Sequence, residues 1–347
     1  MDMTKNTWRG RGLPEGVLDG VPFASDSADL AEEVVSTHLI AGQTPLVLAE
    51  GMGCETWVKD ERGRMGMGSF KALGAAYVIA HDAMTARREA EADDIFHALE
   101  GKTYATASAG NHGLSLAFGA KRFGAEAVVY IADTVPESFA DRLRSHGATV
   151  MREGKDYEAA MEAAMRDSAV NGWTLLSDSS WADYYDRPHR LMEGYLVMAA
   201  EAARQMPAPP THIFLQAGVG GLACACAVHF REVWGDAPQI IVVEPDRAPA
   251  LEASIRSGDA VETTGPVSAM GRLDCKVPSL IALKQLALSA DEFALITEDE
   301  AQGILPILAD QDLSSTPSGA AGLACLKQMN LGPDARTLCF LSEQADD

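Results

Sequence analysis

Lys71 stands in Gly66-Met67-Gly68-Ser69-Phe70-Lys71-Ala72-Leu73-Gly74, behind a glycine-rich lead-in. Ser69 has the chemistry of an N-cap, which puts Lys71 in the first turn of a helix expected over 70–87. A cation there faces the positive end of the helix dipole. That field, together with any desolvation, favours the neutral amine, and a neutral lysine amine is what Schiff-base chemistry with an aldehyde requires. Read alone, the same residue is equally a surface lysine reaching out from a helix start.

Three further segments carry unusual residues. Ser108-Ala109-Gly110-Asn111-His112-Gly113 follows an expected strand over 103–107. It combines a hydroxyl, an amide and N–H groups freed by glycines at a helix start, a natural nest for a carboxylate, and Asn111 could donate to a phenolate oxygen. The plainer reading is a capped turn, with His112 a structural side chain. Gln216-Ala217-Gly218-Val219-Gly220-Gly221 lies between an expected strand and an expected helix, where exposed N–H groups bind phosphate without basic side chains. Gly218, Gly220 and Ala223 also satisfy a G-x-G-x-x-A pattern, and Glu244 ends the next apolar run, so a nicotinamide-dependent oxidoreductase competes for this segment. A tight turn with close helix packing would account for the same glycines. Ser342-Glu343 follows the last apolar run, where a hydroxyl could meet a ring nitrogen, although by itself a serine there is an ordinary turn residue.

These segments need elements to position them. Strands are expected at 46–49, 103–107, 127–131, 149–152, 174–176, 212–215, 240–243 and 338–341, and helices at 70–87, 112–123, 136–146, 156–171, 188–205, 222–234 and 319–329. Continuous apolar strands alternating with Ala-rich helices indicate an α/β fold with buried parallel sheets. Ligands in such sheets sit beyond the carboxyl ends of the strands, which is where three of the four segments fall. Asp178, just after the strand at 174–176, is placed the same way. A carboxyl in a dry pocket there would have a raised pKa, suited to protonating a departing amine; as a mere turn residue it would cap 177–181.

Composition narrows the partners. The 347 residues are 47% hydrophobic and 22% charged, as in globular proteins, and Lys+Arg 28 against Asp+Glu 50 leaves a net charge of −22. A field of that sign repels polyanions, so neither nucleic acid nor an anionic membrane surface is an expected partner. The six scattered cysteines, with no CxxC, indicate no metal site; Cys224 and Cys226 read as buried free thiols. The uncharged run 212–230 breaks at its glycines and reads as strand, turn and helix rather than a membrane span. The opening MDMTKNTWRGRG has no apolar signal core, so a cytoplasmic location is the default.

Together and in this order, the four segments resemble the fold type II pyridoxal-phosphate enzymes, the tryptophan synthase β and threonine dehydratase superfamily. Within it the chain is similar to the diaminopropionate ammonia-lyase family from about Trp8 onward. Ser177-Asp178-Ser179-Ser180-Trp181, Met192-Glu193-Gly194-Tyr195, Glu244-Pro245-Asp246 and the run 270–278 add to the likeness. The resemblance implies two open, mostly parallel α/β lobes with the cofactor in the cleft between them: a large cofactor-binding domain of 1–79 and 183–347, and a small substrate-closing domain of 80–182. It implies that Lys71 forms the Schiff base with pyridoxal 5'-phosphate and then moves protons. Asn111 would hold the ring oxygen, Gly218, Val219, Gly220 and Gly221 the phosphate, and Ser342 would face the pyridine nitrogen. Ser108, Ala109, Gly110, Asn111 and His112 would take the substrate carboxylate, and Asp178 would be the acid–base group for L-substrates.

There are departures. Ala109 stands where the family has an aspartate associated with the D-isomer, and Gln344 stands where it has a glycine. The implied activity is β-elimination from a β-substituted L-amino acid, with 2,3-diaminopropionate giving pyruvate and ammonia, in a homodimer. Dehydration of serine, threonine or hydroxyaspartate is the alternative within the class. A catalytically silent amino-acid-binding protein is a further rival.

Overall fold

The computed structural model describes residues 1–39, 41–90 and 94–346. In chain order the strands are β1 (Asp2–Lys5), β2 (Leu46–Ala49), β3 (Glu55–Asp60), β4 (Thr103–Ala107), β5 (Glu126–Ile131), β6 (Thr149–Arg152), β7 (Thr174–Leu175), β8 (His212–Gln216), β9 (Gln239–Pro245), β10 (Glu292–Ile296) and β11 (Arg336–Leu341). The chain divides into two compact units: Met1–Ala28, Gln43–Phe70 and Ser179–Asp347 form the larger, Asp29–Gly42 and Lys71–Asp178 the smaller. The boundaries drawn from the sequence, 79/80 and 182/183, differ from the crossings at Phe70/Lys71 and Asp178/Ser179. Packing explains the first difference. The helix Ala75–Glu89 lies against the helix Asn111–Arg122. The two approach so closely that a Cβ on Gly119 would stand 2.9 Å from Ala76 Cα.

The larger unit is built on a seven-stranded sheet in the order β1-β10-β9-β8-β11-β3-β2. The five inner strands run parallel, and β1 and β2 close the edges antiparallel. Ile240, Ile241, Val242 and Val243 on β9 are all fully buried, as expected of a parallel strand covered on both faces. From β8 the chain steps to β9 and β10 on one side and then returns to β11 on the other, so the direction of winding reverses at β8. That reversal is where an open parallel sheet leaves a crevice at its carboxyl edge, and β8 and β11 deliver Ala217–Gly221 and Ser342 to it.

The smaller unit holds the parallel sheet β6-β5-β4-β7. Its core sets Ala105 and Ala107 of β4 and Val128 and Tyr130 of β5 against Ala160, Ala163 and Ala164 of the helix Tyr157–Asn171. Neighbouring β4 and β7 end at the same edge, which brings Ser108–Gly113 beside the stretch leading to Asp178. Among the described residues no helix is long and apolar enough to cross a membrane. The run 212–230 is strand β8, a glycine turn and the helix Gly221–Trp234. Its Cys224 and Cys226 are buried free thiols whose pKa burial raises.

Candidate active site

Two expectations about Lys71 change in the structure. Residues Phe70–Leu73 form a 3-10 turn and the α-helix begins only at Ala75, so Lys71 precedes the helix rather than riding its first turn. Ser69 is not an N-cap: it is buried in an antiparallel bridge with Glu343. The Lys71 ammonium donates to Asp178 Oδ2, with 23% and 21% of the two side chains exposed. The raised Asp178 carboxyl expected from the sequence is corrected by this pair. Burial pushes the group up, but the charge of Lys71, with smaller help from His112 and the hydrogen bond from Lys71, holds it well below the usual carboxylate range.

Beyond β4, Ser108 Oγ accepts from the N–H groups of Gly110 (3.2 Å) and Gly113 (3.1 Å) and so caps the helix Asn111–Arg122 from two residues outside it. The N–H groups of Asn111 and His112 lie in the first turn, where no intrahelical partner exists. His112 is 5% exposed, and its Nε2 is 2.8 Å from the carbonyl oxygen of Leu176. A carbonyl only accepts, so Nε2 carries the proton and Nδ1 keeps its lone pair, without a partner among the described residues. Burial holds the imidazole pKa down. The ring therefore ties the loop to the stretch that carries Asp178, and what the loop offers a carboxylate at this position is the His112 backbone.

At the carboxyl end of β8 the glycines have distinct reasons. A Cβ on Gly218 would lie 3.0 Å from Cys275 Sγ, 3.1 Å from Leu273 Cα and 3.2 Å from Arg272 O. Gly220 has φ +104, and a Cβ there would meet Ala282 Cβ at 2.9 Å. Gly221 opens the helix Gly221–Trp234, whose first-turn N–H groups have no intrahelical partner and whose dipole presents positive charge. Side chains are thus excluded where the backbone donors are concentrated, a cradle that fits a phosphate group.

The dinucleotide reading of the same glycines fails at Glu244. Its Oε1 accepts from Leu251 N (2.8 Å) and its Oε2 from Glu252 N (2.7 Å), capping the helix Ala250–Ser257. The residue is fully buried, and burial pushes its carboxyl up to about 8. Both oxygens already accept from the backbone and the side chain is fully buried, so neither is presented to a ribose hydroxyl.

Ser342 follows β11 and is 5% exposed; its N–H donates to Gly319 O (3.2 Å) and its carbonyl accepts from Phe70 N (2.9 Å). Its hydroxyl makes no hydrogen bond within the described residues. Gln216 locks this edge, its Nε2 donating to Gly319 O (2.9 Å) and Phe340 O (3.1 Å). Sequence reasoning assigned Gln216 no such role. It also missed Tyr195, whose ring packs on Phe70 at 4.8 Å between centroids and lies 3.5 Å from where a Gly221 Cβ would be. The run Met192-Glu193-Gly194-Tyr195 was the available signal for it.

Fold and site together define an α/β enzyme with backbone donors that fit a phosphate at one strand end and a half-buried lysine–carboxylate pair at another. Residues 38–343 match the family described as pyridoxal-phosphate dependent enzyme. The diaminopropionate ammonia-lyase of Escherichia coli (strain K12) is 31% identical over 81% of this chain and 74% of its own. The L-serine dehydratase/L-threonine deaminase of Mus musculus is 28% identical over 70% of each. A crystal structure of the Escherichia coli diaminopropionate ammonia-lyase, in complex with an aminoacrylate-PLP azomethine reaction intermediate, superposes with a TM-score of 0.86 and 28% identity over 99% of this chain and 93% of that one. The chain belongs to the pyridoxal-phosphate dependent enzymes, with the fold type II architecture, and pyridoxal 5'-phosphate is its cofactor.

Proposed function

We propose that the protein is an ammonia-lyase that eliminates the β-substituent of an L-amino acid, converting 2,3-diaminopropionate and water to pyruvate and two molecules of ammonia. The observation that carries this reading is the Lys71–Asp178 pair, a base and a carboxylate in contact beside the Ser108–Gly113 loop. The 31% identity to a diaminopropionate ammonia-lyase supports the choice of substrate.

In this reading Gly218, Val219, Gly220 and Gly221 hold the cofactor phosphate, Asn111 its ring oxygen and Ser342 its pyridine nitrogen, while Lys71 is the covalent anchor of its aldehyde. Bound pyridoxal phosphate supplies an electron sink that makes the substrate Cα–H acidic. The Ser108–His112 loop fixes the substrate carboxylate through backbone N–H groups and the Ser108 hydroxyl. The Lys71 amine takes the Cα proton. Asp178, adjacent to that amine, holds a proton while the amine is neutral and passes it to the departing β-amine once the amine has become charged. A neutral Ser342 hydroxyl places no negative charge at the ring nitrogen, which suits a reaction whose leaving group departs promptly. Of the two domains drawn from the sequence, 1–79 with 183–347 takes the cofactor-binding role and 80–182 the substrate-closing role. The protein works as a cytoplasmic homodimer.

Dehydration of a hydroxyamino acid (serine, threonine or hydroxyaspartate) is the second reading, favoured by the likeness to the mouse dehydratase. A panel of β-substituted amino acids, assayed for release of 2-oxo acid, separates the two. L-Diaminopropionate should give the highest kcat/KM, whereas a higher value for any hydroxyamino acid would select the second reading.

A further inference from the structure

The segment 343–346 meets both the turn that leads into Lys71 and the chain that backs the glycine loop. On one side, Phe70 N–H donates to Ser342 O and Gln344 N–H to Gly68 O, each at 2.9 Å, around the Ser69–Glu343 bridge. The Gln344 side chain lies over Gly68, where a Cβ would stand 2.7 Å from its Cδ. On the other side, Arg272 reaches the same segment, with Nε 3.0 Å from Glu343 Oε2 and Nη1 and Nη2 at 3.2 and 2.5 Å from the Asp346 carboxylate. The main chain at Arg272 forms the wall of the cradle. Its carbonyl and the Leu273 Cα are the atoms that a Cβ on Gly218 would strike, and its N–H is fixed on Ser318 Oγ at 3.2 Å.

We infer that Arg272 is a positioning residue for the cofactor phosphate: its ion pairs with Glu343 and Asp346 hold the wall against which Gly218 packs and so set how tightly the loop grips that group. The inference rests on reading 218–221 as the phosphate site. Arg272 acts indirectly, because its guanidinium faces the two carboxylates. A planar, forked cation matches this task, since it engages two carboxylates at once where a lysine would hold one. Asp346 is 64% exposed, so that half of the clamp weakens with salt, whereas Glu343 is only 6% exposed and is screened less.

The test is equilibrium titration of the cofactor-free protein with pyridoxal 5'-phosphate and, separately, with pyridoxal, for wild type, Arg272→Met, Arg272→Lys and Asp346→Asn. The readout is the preference for the phosphorylated ligand, which general destabilisation would not move selectively. That preference should fall several-fold in Arg272→Met and in Asp346→Asn and return in part in Arg272→Lys. It should also fall more steeply with salt in wild type than in Asp346→Asn. Should Arg272→Met fail to fold, Asp346→Asn at an exposed position carries the test alone. An unchanged preference, or an equal loss for both ligands, overturns the role of Arg272. A wild type that does not prefer the phosphorylated ligand at all overturns the phosphate reading of the loop, and this inference with it.

Discussion

Asp178 shows how one neighbour sets the behaviour of a half-buried carboxyl. Burial alone would raise its pKa, and the ammonium of Lys71 reverses the sign. The carboxylate is therefore ionised, and a poor proton acceptor, while Lys71 is charged. Once Lys71 loses its charge, burial dominates and favours the protonated acid. That coupling suits a pair that takes a proton at one atom and releases it at another. Asp178→Asn should lower kcat by roughly 10²- to 10⁴-fold on L-diaminopropionate while cofactor affinity stays near wild type. A turnover within a factor of a few of wild type would reduce Asp178 to a turn residue. Lys71 and Asp178 were both legible as candidates from their types and their places after glycines or a strand. Their contact was not, because 107 residues separate them in the chain.

At the scale of elements, the strands that carry the site were readable because they are unbroken apolar runs. Strands β2, β4 and β6 have the boundaries that pattern indicates. Strand β3 was missed because Lys59 and Asp60 interrupt it. The fold neutralises both, Lys59 with Glu201 at 2.6 Å and Asp60 with Arg62 at 2.7 Å. Edge strand β1 and strand β10 were also missed, and β1 is polar, as sheet edges are. The run 270–278 contains Arg272 but does not announce its role, because its carboxylate partners lie more than seventy positions away.

His112 links two elements, and its burial as a neutral ring has a consequence for pH. Its folded pKa lies below 6.5 while the unfolded chain takes up a proton near that value. Below pH 6.5 the unfolded state binds more protons, so the stabilisation present above pH 6.5 is lost as pH falls towards the lowered folded value. His112→Gln keeps a donor for Leu176 O and removes the titration. Denaturant unfolding across pH 5 to 8 should show a shallower acid loss in the variant. Identical slopes would mean that His112 does not titrate between the two states in that range.

For the whole molecule, the net charge of −22 bears on how an anionic cofactor is held. The mean field repels phosphate, so in the proposed reading binding depends on a local device, the helix opening at Gly221. Composition carries no information on where such a device would lie; the proposal that it lies after β8 comes from the glycines there. The claim on which the rest depends is that Lys71 anchors the cofactor. Borohydride reduction of the protein with bound pyridoxal 5'-phosphate, followed by peptide mapping, tests it most directly. A single phosphopyridoxyl label should appear on the peptide containing Lys71, and Lys71→Ala should show none. A label on another lysine, or undiminished labelling of Lys71→Ala, would contradict it.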